Sequence, residues 1–188
     1  SLKYLNKAIE LNPNYAEALI NRGVIRLAQD EKASALRDLE KAYHLKPHIK
    51  QIWDLLISLI VEAKNYSKAI SFLITMIEVD PSHEKSFSLL TACNKEIDDP
   101  TLAIMSFKKI LEVRPNDAVS FLKLGIAFQS QGKLEEAIKA YNQAILIKPD
   151  YVEAYNKFGI ALQKQGRPSQ AIEAFSKAIS INSKFFEA

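Results

Sequence analysis

Histidines are the residues of this chain whose spacing comes closest to a metal site. His44 and His48 are four residues apart, a separation that places two ligands on one face of a helix. Pro47 lies between them and is expected to end that helix, so the two rings should face in different directions. His83 falls in a predicted loop. Because two ligands alone are weak evidence, the sequence predicts surface histidines and no metal site.

Cys93 is the single cysteine, so no disulfide can form within the chain. A cysteine nucleophile needs an electropositive setting, and we expect no histidine or acid to act as partner to this one. We therefore expect a buried, unreactive thiol. A chain with one unpaired cysteine is also typical of an intracellular protein, and we expect a cytoplasmic one.

Two acidic pairs, Asp98–Asp99 and Glu135–Glu136, stand in or beside predicted turns. Such positions favour charges at helix N-termini, which the helix dipole stabilises, over a catalytic pair of carboxylates. The chain has no glycine-rich phosphate loop, because all five glycines belong to the repeat described below. The sequence thus predicts no catalytic residue, no cofactor and no enzymatic activity.

The balance of charge narrows the class of partner. The 25 Lys and Arg residues nearly cancel the 22 Asp and Glu residues, and nucleic-acid binding would need clustered basic residues. No apolar run approaches the roughly 18 residues of a membrane span. The first four residues, Ser-Leu-Lys-Tyr, lack the layout of a signal peptide. We therefore expect neither a nucleic acid nor a membrane as partner.

Prolines and glycines reveal an internal repeat of 34 residues. Five of the seven prolines follow this period, and the other two are two periods apart: Pro13, Pro47, Pro81, Pro115 and Pro149, then Pro100 and Pro168. The glycines fall on two further phases, one holding Gly23, Gly125 and Gly159 and the other Gly132 and Gly166. Every Pro and Gly of the chain therefore belongs to the repeat.

Apolar residues within one repeat have helical spacing. In residues 118–151, Phe121, Leu124 and Phe128 form one stripe, and Ala137 and Tyr141 belong to a second. Apolar residues three and four apart indicate amphipathic helices, and the glycine between the two stripes indicates a tight turn. Each repeat is therefore predicted to be a helical hairpin.

These residues resemble the tetratricopeptide repeat family, whose 34-residue pattern they follow over the whole chain. The resemblance implies an all-α fold, a right-handed α-solenoid of stacked antiparallel helix pairs with a concave groove. It divides the chain into five complete repeats, 16–49, 50–83, 84–117, 118–151 and 152–185. Residues 1–15 then supply the second helix of a preceding repeat, and 186–188 open a further one. Because neither end has a polar capping helix, we expect a fragment of a longer array.

The period also predicts helix bounds. First helices are expected near 16–29, 50–63, 84–97, 118–131 and 152–165. Second helices are expected near 2–11, 33–46, 67–80, 101–114, 135–148 and 169–181. At the eighth position of a repeat, counted from its first residue, a small residue is expected to bring the two helices close together.

Repeats two and three depart from this pattern. Ile57 and Thr91 replace the small residue, Asn94 stands at a normally apolar position, and repeat three lacks the turn glycine. One explanation of these departures is sequence drift with local repacking. The other is a change in the curvature of the solenoid that suits a particular partner. Under either explanation, repeat three is expected to be the least stable, partly because an unpaired buried Asn is costly.

The resemblance implies that the first helix of each hairpin lines the groove. The expected partner-binding residues include eight that form an apolar stripe: Ile20, Val24, Leu27, Leu55, Leu89, Leu122, Ile126 and Ile160. Five polar residues accompany them: Asn21, Lys123, Asn156, Lys157 and Lys164. An exposed apolar stripe favours a protein-binding site, whereas the alternative is that these side chains only fill the inside of the solenoid.

The function expected from this groove is that of a protein–protein interaction scaffold. Its partner is a peptide or helix with spaced apolar side chains, and the basic last repeat favours an acidic one. The alternative is a substrate-recruiting arm of a larger enzyme, such as an O-linked N-acetylglucosaminyltransferase, although only Asn21 matches the asparagine ladder of those arms. No set of three successive repeats reproduces the carboxylate clamp of co-chaperones. Self-association through uncapped ends is a further possibility.

Overall fold

The computed structural model describes the backbone of residues 2–186 and the side chains of residues 2–182. Every element in that range is a helix, so the fold is all-α, as predicted. First helices are α2 (Ala16–Ala28), α4 (Trp53–Glu62), α6 (Glu84–Glu96), α8 (Ala118–Ser130) and α10 (Val152–Lys164). Second helices are α1 (Leu2–Leu11), α3 (Lys32–Leu45), α5 (Tyr66–Val79), α7 (Pro100–Val113), α9 (Leu134–Ile147) and α11 (Pro168–Phe186).

Helix ends follow the prolines and the turns. The first five second helices end two residues before a proline, which cannot continue a helix. The predicted start of α4 is occupied by a short 3-10 helix, Lys50–Ile52. The expectation that the last helix ends near 181 is wrong, because α11 continues to Phe186. Ser183 stands where a proline would end it, and the rest of the expected sixth repeat, Glu187 and Ala188, lies outside the described residues.

Four hairpins turn through a residue with left-handed backbone. These residues share one position of the repeat, with φ values of 62°, 54°, 74° and 77° at Asp30, Lys64, Gly132 and Gly166. In repeat four, the Gly132 N–H donates to the Gln129 carbonyl and the Lys133 N–H to the Phe128 carbonyl, both at 3.0 Å. This pair of bonds is the Schellman motif, which satisfies the last carbonyls of a helix.

A close approach of the two helices explains the glycine at the eighth position. A Cβ built on Gly125 would lie 2.5 Å from the Tyr141 ring, closer than carbon atoms pack. Tyr141 itself is fully buried. The predicted role of the small residue in the hairpin is therefore confirmed in repeat four.

Residues Ser1–Ile97 and Asp98–Ala188 form two compact units, here called the N-terminal unit and the C-terminal unit. The N-terminal core contains Trp53, Leu56, Ile60, Leu73 and other fully buried side chains. The C-terminal core is a cluster of α8, α9, α10 and α11 built around Leu122, Tyr141 and Leu162. In each unit a second helix packs against the next first helix. The expected single array stays a prediction.

The division between the units falls inside repeat three. Ile97 is extended, with φ −116° and ψ 130°, and Asp99 is extended, with φ −123° and ψ 95°. No described residue of this link has the left-handed backbone that forms the other four turns. Asp99 caps α7 by accepting hydrogen bonds from the Thr101 and Leu102 N–H groups, so this member of the acidic pair has the predicted role at a helix N-terminus.

Asn94 is not the unpaired polar group that was expected. Its side-chain amide donates to the Leu90 carbonyl one turn earlier in α6, at 2.8 Å, and the residue is only partly buried. The helix backbone therefore satisfies the polar group, and the penalty for an unsatisfied amide does not apply.

Candidate interaction surface

The first-helix face is the set of side chains that the sequence placed in the groove. On α2 it is open: Val24 is 47% exposed, Asn21 is exposed, and Ile20 and Leu27 are partly buried. Leu19, which belongs to the hairpin seam of the same helix, is 1% exposed. The predicted separation between seam and face is therefore present on α2.

On α4 and α6 the same face continues with Leu55 and Leu89, both partly buried. The Lys85 ammonium lies 2.8 Å from the Asp54 carboxylate, which joins α6 to α4. Both of these charged side chains are more than half exposed, so the ion pair contributes little to stability. The ion pair does show that α4 and α6 approach each other at these two residues.

Leu122 was expected on this face, and the structure contradicts that expectation. Its side chain is fully buried in the C-terminal core together with Ala154 and Ala161 of α10. Leu122 is therefore a core residue, and an aspartate there would disrupt the unit rather than test binding.

The rest of the face in the C-terminal unit is more polar. Ile126 packs partly against the core, and Ile160, Lys123 and Lys157 are also partly buried. Asn156 and Lys164 are exposed. Val119, at the second position of repeat four, is 47% exposed and adds an apolar side chain that the sequence analysis left out of the stripe.

The residues considered for chemistry were two histidines and the cysteine. His44 lies in α3 and His48 beyond its end, and no group of three or more potential metal ligands is found among the described residues. Cys93 is buried as expected, and burial, aided by the Glu96 charge, raises the pKa of its thiol. Such a thiol is less nucleophilic at neutral pH.

A charged cluster in repeat one escaped the sequence analysis. The Asp38 carboxylate accepts hydrogen bonds from Arg22 at 2.7 and 2.8 Å and from Arg26 at 2.7 Å. The signal was available, since these are positions where repeat four has Leu124, Phe128 and Ala140. Its partners satisfy one another, so the cluster belongs to the hairpin rather than to a ligand site.

Comparison with known proteins decides the family. One model described as TPR repeat matches residues 127–166, and two described as tetratricopeptide repeat match residues 4–42 and 152–185. Together they cover more than half of the chain. The chain belongs to the tetratricopeptide repeat family. No curated protein matches it.

Solved structures share this tetratricopeptide fold. MamA is 24% identical over 88% of this chain and 97% of that chain, with a TM-score of 0.62. MamA 41-end from Desulfovibrio magneticus RS-1 is 19% identical over 90% and 96%, with a TM-score of 0.58. YrrB, described as a TPR protein with an unusual peptide-binding site, is 22% identical over 96% and 93%, with a TM-score of 0.58. At these identities the likeness concerns the fold.

Across the part of the chain that the structure describes, no helix combines the length and the apolar character needed to cross a bilayer.

Proposed function

We propose that this protein is an interaction scaffold that binds a protein segment on the first-helix face of its N-terminal unit. The observation that carries the proposal is the exposure of apolar side chains there, with Val24 47% exposed and Ile20, Leu27, Leu55 and Leu89 partly exposed. Exposed apolar surface on a rigid helical scaffold is typical of an interaction site. The peptide-binding description of YrrB, a protein with this fold, supports the same function.

The partner is proposed to carry apolar side chains spaced to meet successive first helices. Burying one aliphatic side chain contributes roughly 1.5–3 kcal/mol, whereas charges at the rim affect mainly association rate and register. Apolar contacts should therefore dominate affinity. In the C-terminal unit, Lys123, Lys157 and Lys164 lie on first helices, and they favour acidic residues in any segment bound there.

Selection from a displayed peptide library against the full chain tests this function. Val24→Asp and Leu55→Asp should weaken the binding of selected peptides by about tenfold or more, the loss of one anchor. Leu146→Asp is the matched control, because Leu146 is a 63% exposed apolar residue on the second helix α9. If the peptides bind Val24→Asp and Leu55→Asp at full strength but do not bind Leu146→Asp, the binding surface lies elsewhere.

Self-association is a second candidate, favoured by one feature of α11. Ile172 and Ile179 are 65% and 69% exposed, whereas Ile138 and Ile145, at the same positions of repeat four, pack in the core or against it. We propose that this face associates with a second copy at high concentration. Sedimentation should then show a dimer that Ile172→Glu with Ile179→Glu removes, and a monomer at all concentrations would contradict it.

Recruitment of a substrate for a linked catalytic domain would use the same first-helix face, and no separate observation favours it. The intracellular location is likewise a proposal, supported by the free, buried thiol of Cys93, which suits a reducing compartment.

A further inference from the structure

A cavity of about 220 Å³ opens between α3 and α5 of the N-terminal unit. Its lining consists of Tyr43, His44, Pro47, Ser71, Phe72 and Thr75. Tyr43 and Phe72 are 3% and 6% exposed, so they form the floor, while exposed His44 and Ser71 stand at the rim. Because the walls belong to second helices, this cavity is distinct from the first-helix face.

Three rings give the cavity an aromatic character. The Tyr43 and Phe72 ring centroids are 4.8 Å apart with a 56° tilt, and the His44 and Phe72 centroids are 5.4 Å apart with a 47° tilt. Tilted rings present both faces and edges, which are the contacts that another aromatic ring prefers. The lining is therefore suited to a planar apolar group.

The lining has hydroxyl groups on Tyr43, Ser71 and Thr75, and the Tyr43 hydroxyl donates to the Phe72 carbonyl at 3.5 Å. Ser71 Oγ donates its proton to the Ser67 carbonyl and Thr75 Oγ1 donates to the Ser71 carbonyl, both at 3.2 Å. The Ser71 and Thr75 protons are thus engaged within α5, and the Thr75 hydroxyl also hydrogen-bonds the Tyr43 hydroxyl. Ser71 Oγ is the more open of the two oxygens, with lone pairs for an incoming donor. No Asp, Glu, Lys or Arg lines the cavity, so nothing there would compensate a buried charge on a ligand.

The repeat itself does not require this chemistry. At the same positions of repeats four and five, the residues differ and two of them are charged. They are Ile145 and Leu146 of α9, Pro149 just after it, and Glu173, Ala174 and Lys177 of α11. Both helices form as readily with that set. The neutral aromatic lining between α3 and α5 is therefore not required by the helical hairpin.

We propose that this cavity binds the aromatic side chain of a protein segment, a tryptophan or a tyrosine whose N–H or O–H faces Ser71 and Thr75. The volume suits one side chain, since pockets for drug-sized molecules run from about 300 Å³ upward. The partner would engage the second-helix side of the N-terminal unit, independently of the first-helix face.

The test replaces the rim with residues that the chain already uses. Ser71→Glu with Thr75→Lys reproduces Glu173 and Lys177 of α11, so the helix should form while the cavity becomes charged and filled. Thr75→Lys alone serves if the double variant is unstable. The probes are N-acetyl-tryptophanamide and N-acetyl-leucinamide, titrated into the full chain and followed by amide NMR.

The tryptophan probe should shift the amides of His44 and of residues 71–75, and bind the variant at least about tenfold more weakly. Val24→Asp should leave this binding unchanged. Equal binding of the leucine probe, equal binding by the variant, or no shift at saturating probe would overturn the proposal. Tryptophan-containing peptides selected against the chain should also bind about tenfold more tightly than free indole. Equal affinity would assign the cavity to a small molecule and overturn the protein-segment assignment.

Discussion

The left-handed residue of the hairpin turn is Asp30 or Lys64 in two repeats and glycine in two others. Asp30 and Lys64 have φ values of 62° and 54°, a left-handed conformation that costs a residue with a Cβ roughly 1–2 kcal/mol. Gly132 has the same conformation at φ 74°, and no atom lies within 4 Å of the Cβ that would be added to it. The cost at this position is therefore conformational rather than steric.

Lys64→Gly should raise the free energy of unfolding of the N-terminal unit by about 1 kcal/mol, because glycine relieves the left-handed strain. Chemical denaturation measures it, and Gly132→Ala is the converse control, expected to lower stability by a similar amount. A loss of stability in Lys64→Gly would show that the lysine side chain makes contacts that outweigh its backbone cost.

Burial at a single residue was the least predictable feature. Ile20 and Leu122 share the fifth position of their repeats, yet the first is partly exposed and the second fully buried. The difference depends on neighbouring side chains, such as Ala154 beside Leu122, which belong to another helix. A periodic pattern assigns a face to a residue, but it does not give the space that the next helix leaves.

At the scale of the helical hairpin, repeat one has charged residues at three positions where repeat four has apolar ones. Two guanidinium groups share the Asp38 carboxylate, whose side chain is 6% exposed, and the hydrogen bond to Asp38 raises the pKa of Arg22. Buried ion pairs recover little net energy, since desolvation opposes their attraction. Removing the Asp38 carboxylate, however, leaves the Arg22 guanidinium with the neutral Asn6 amide and Arg26 with the more distant Glu31.

Asp38→Ala should therefore destabilise the N-terminal unit by about 3–5 kcal/mol. The triple variant R22L/R26F/D38A, which copies the residues of repeat four, should be as stable as the wild type or more so. Thermal and chemical unfolding of both variants give the comparison. A triple variant less stable than Asp38→Ala would mean that the charged cluster contributes net stability here.

Helix positions were predictable because proline, glycine and apolar spacing repeat together. Repeat three as a whole was predicted to be the least stable. The backbone of its link was not predicted, since a missing turn glycine does not specify which backbone replaces it. The structure shows extended residues at Ile97 and Asp99. The cause expected for instability, an unpaired Asn94, was wrong because the amide bonds to its own helix.

Hydrogen exchange should detect this link. Amides of residues 97–99 should exchange faster than those of residues 131–133, where the Gly132 and Lys133 N–H groups are hydrogen-bonded within the turn of repeat four. Exposed backbone without internal hydrogen bonds opens at little cost. Equal protection in the two segments would contradict the extended link and indicate a closed turn in solution.

At the scale of the whole molecule, the two units differ in what they expose. The first-helix face of the N-terminal unit is mainly apolar, and that of the C-terminal unit is richer in lysine and asparagine. Fold and family followed from the repeat, because a 34-residue period constrains every hairpin in the same way. The identity of the partner could not be predicted in this way, because binding depends on side chains that the repeat leaves free to vary.

The central claim is that the first-helix face of the N-terminal unit binds a protein segment. Methyl NMR with a peptide selected against the full chain tests it most directly, because the exposed residues carry methyl groups. We expect the largest shifts at Val24, Leu27, Leu55 and Leu89, with Leu146 of α9 unchanged. Shifts at Leu146 and other second-helix methyl groups, with Val24 and Leu55 unmoved, would contradict the claim.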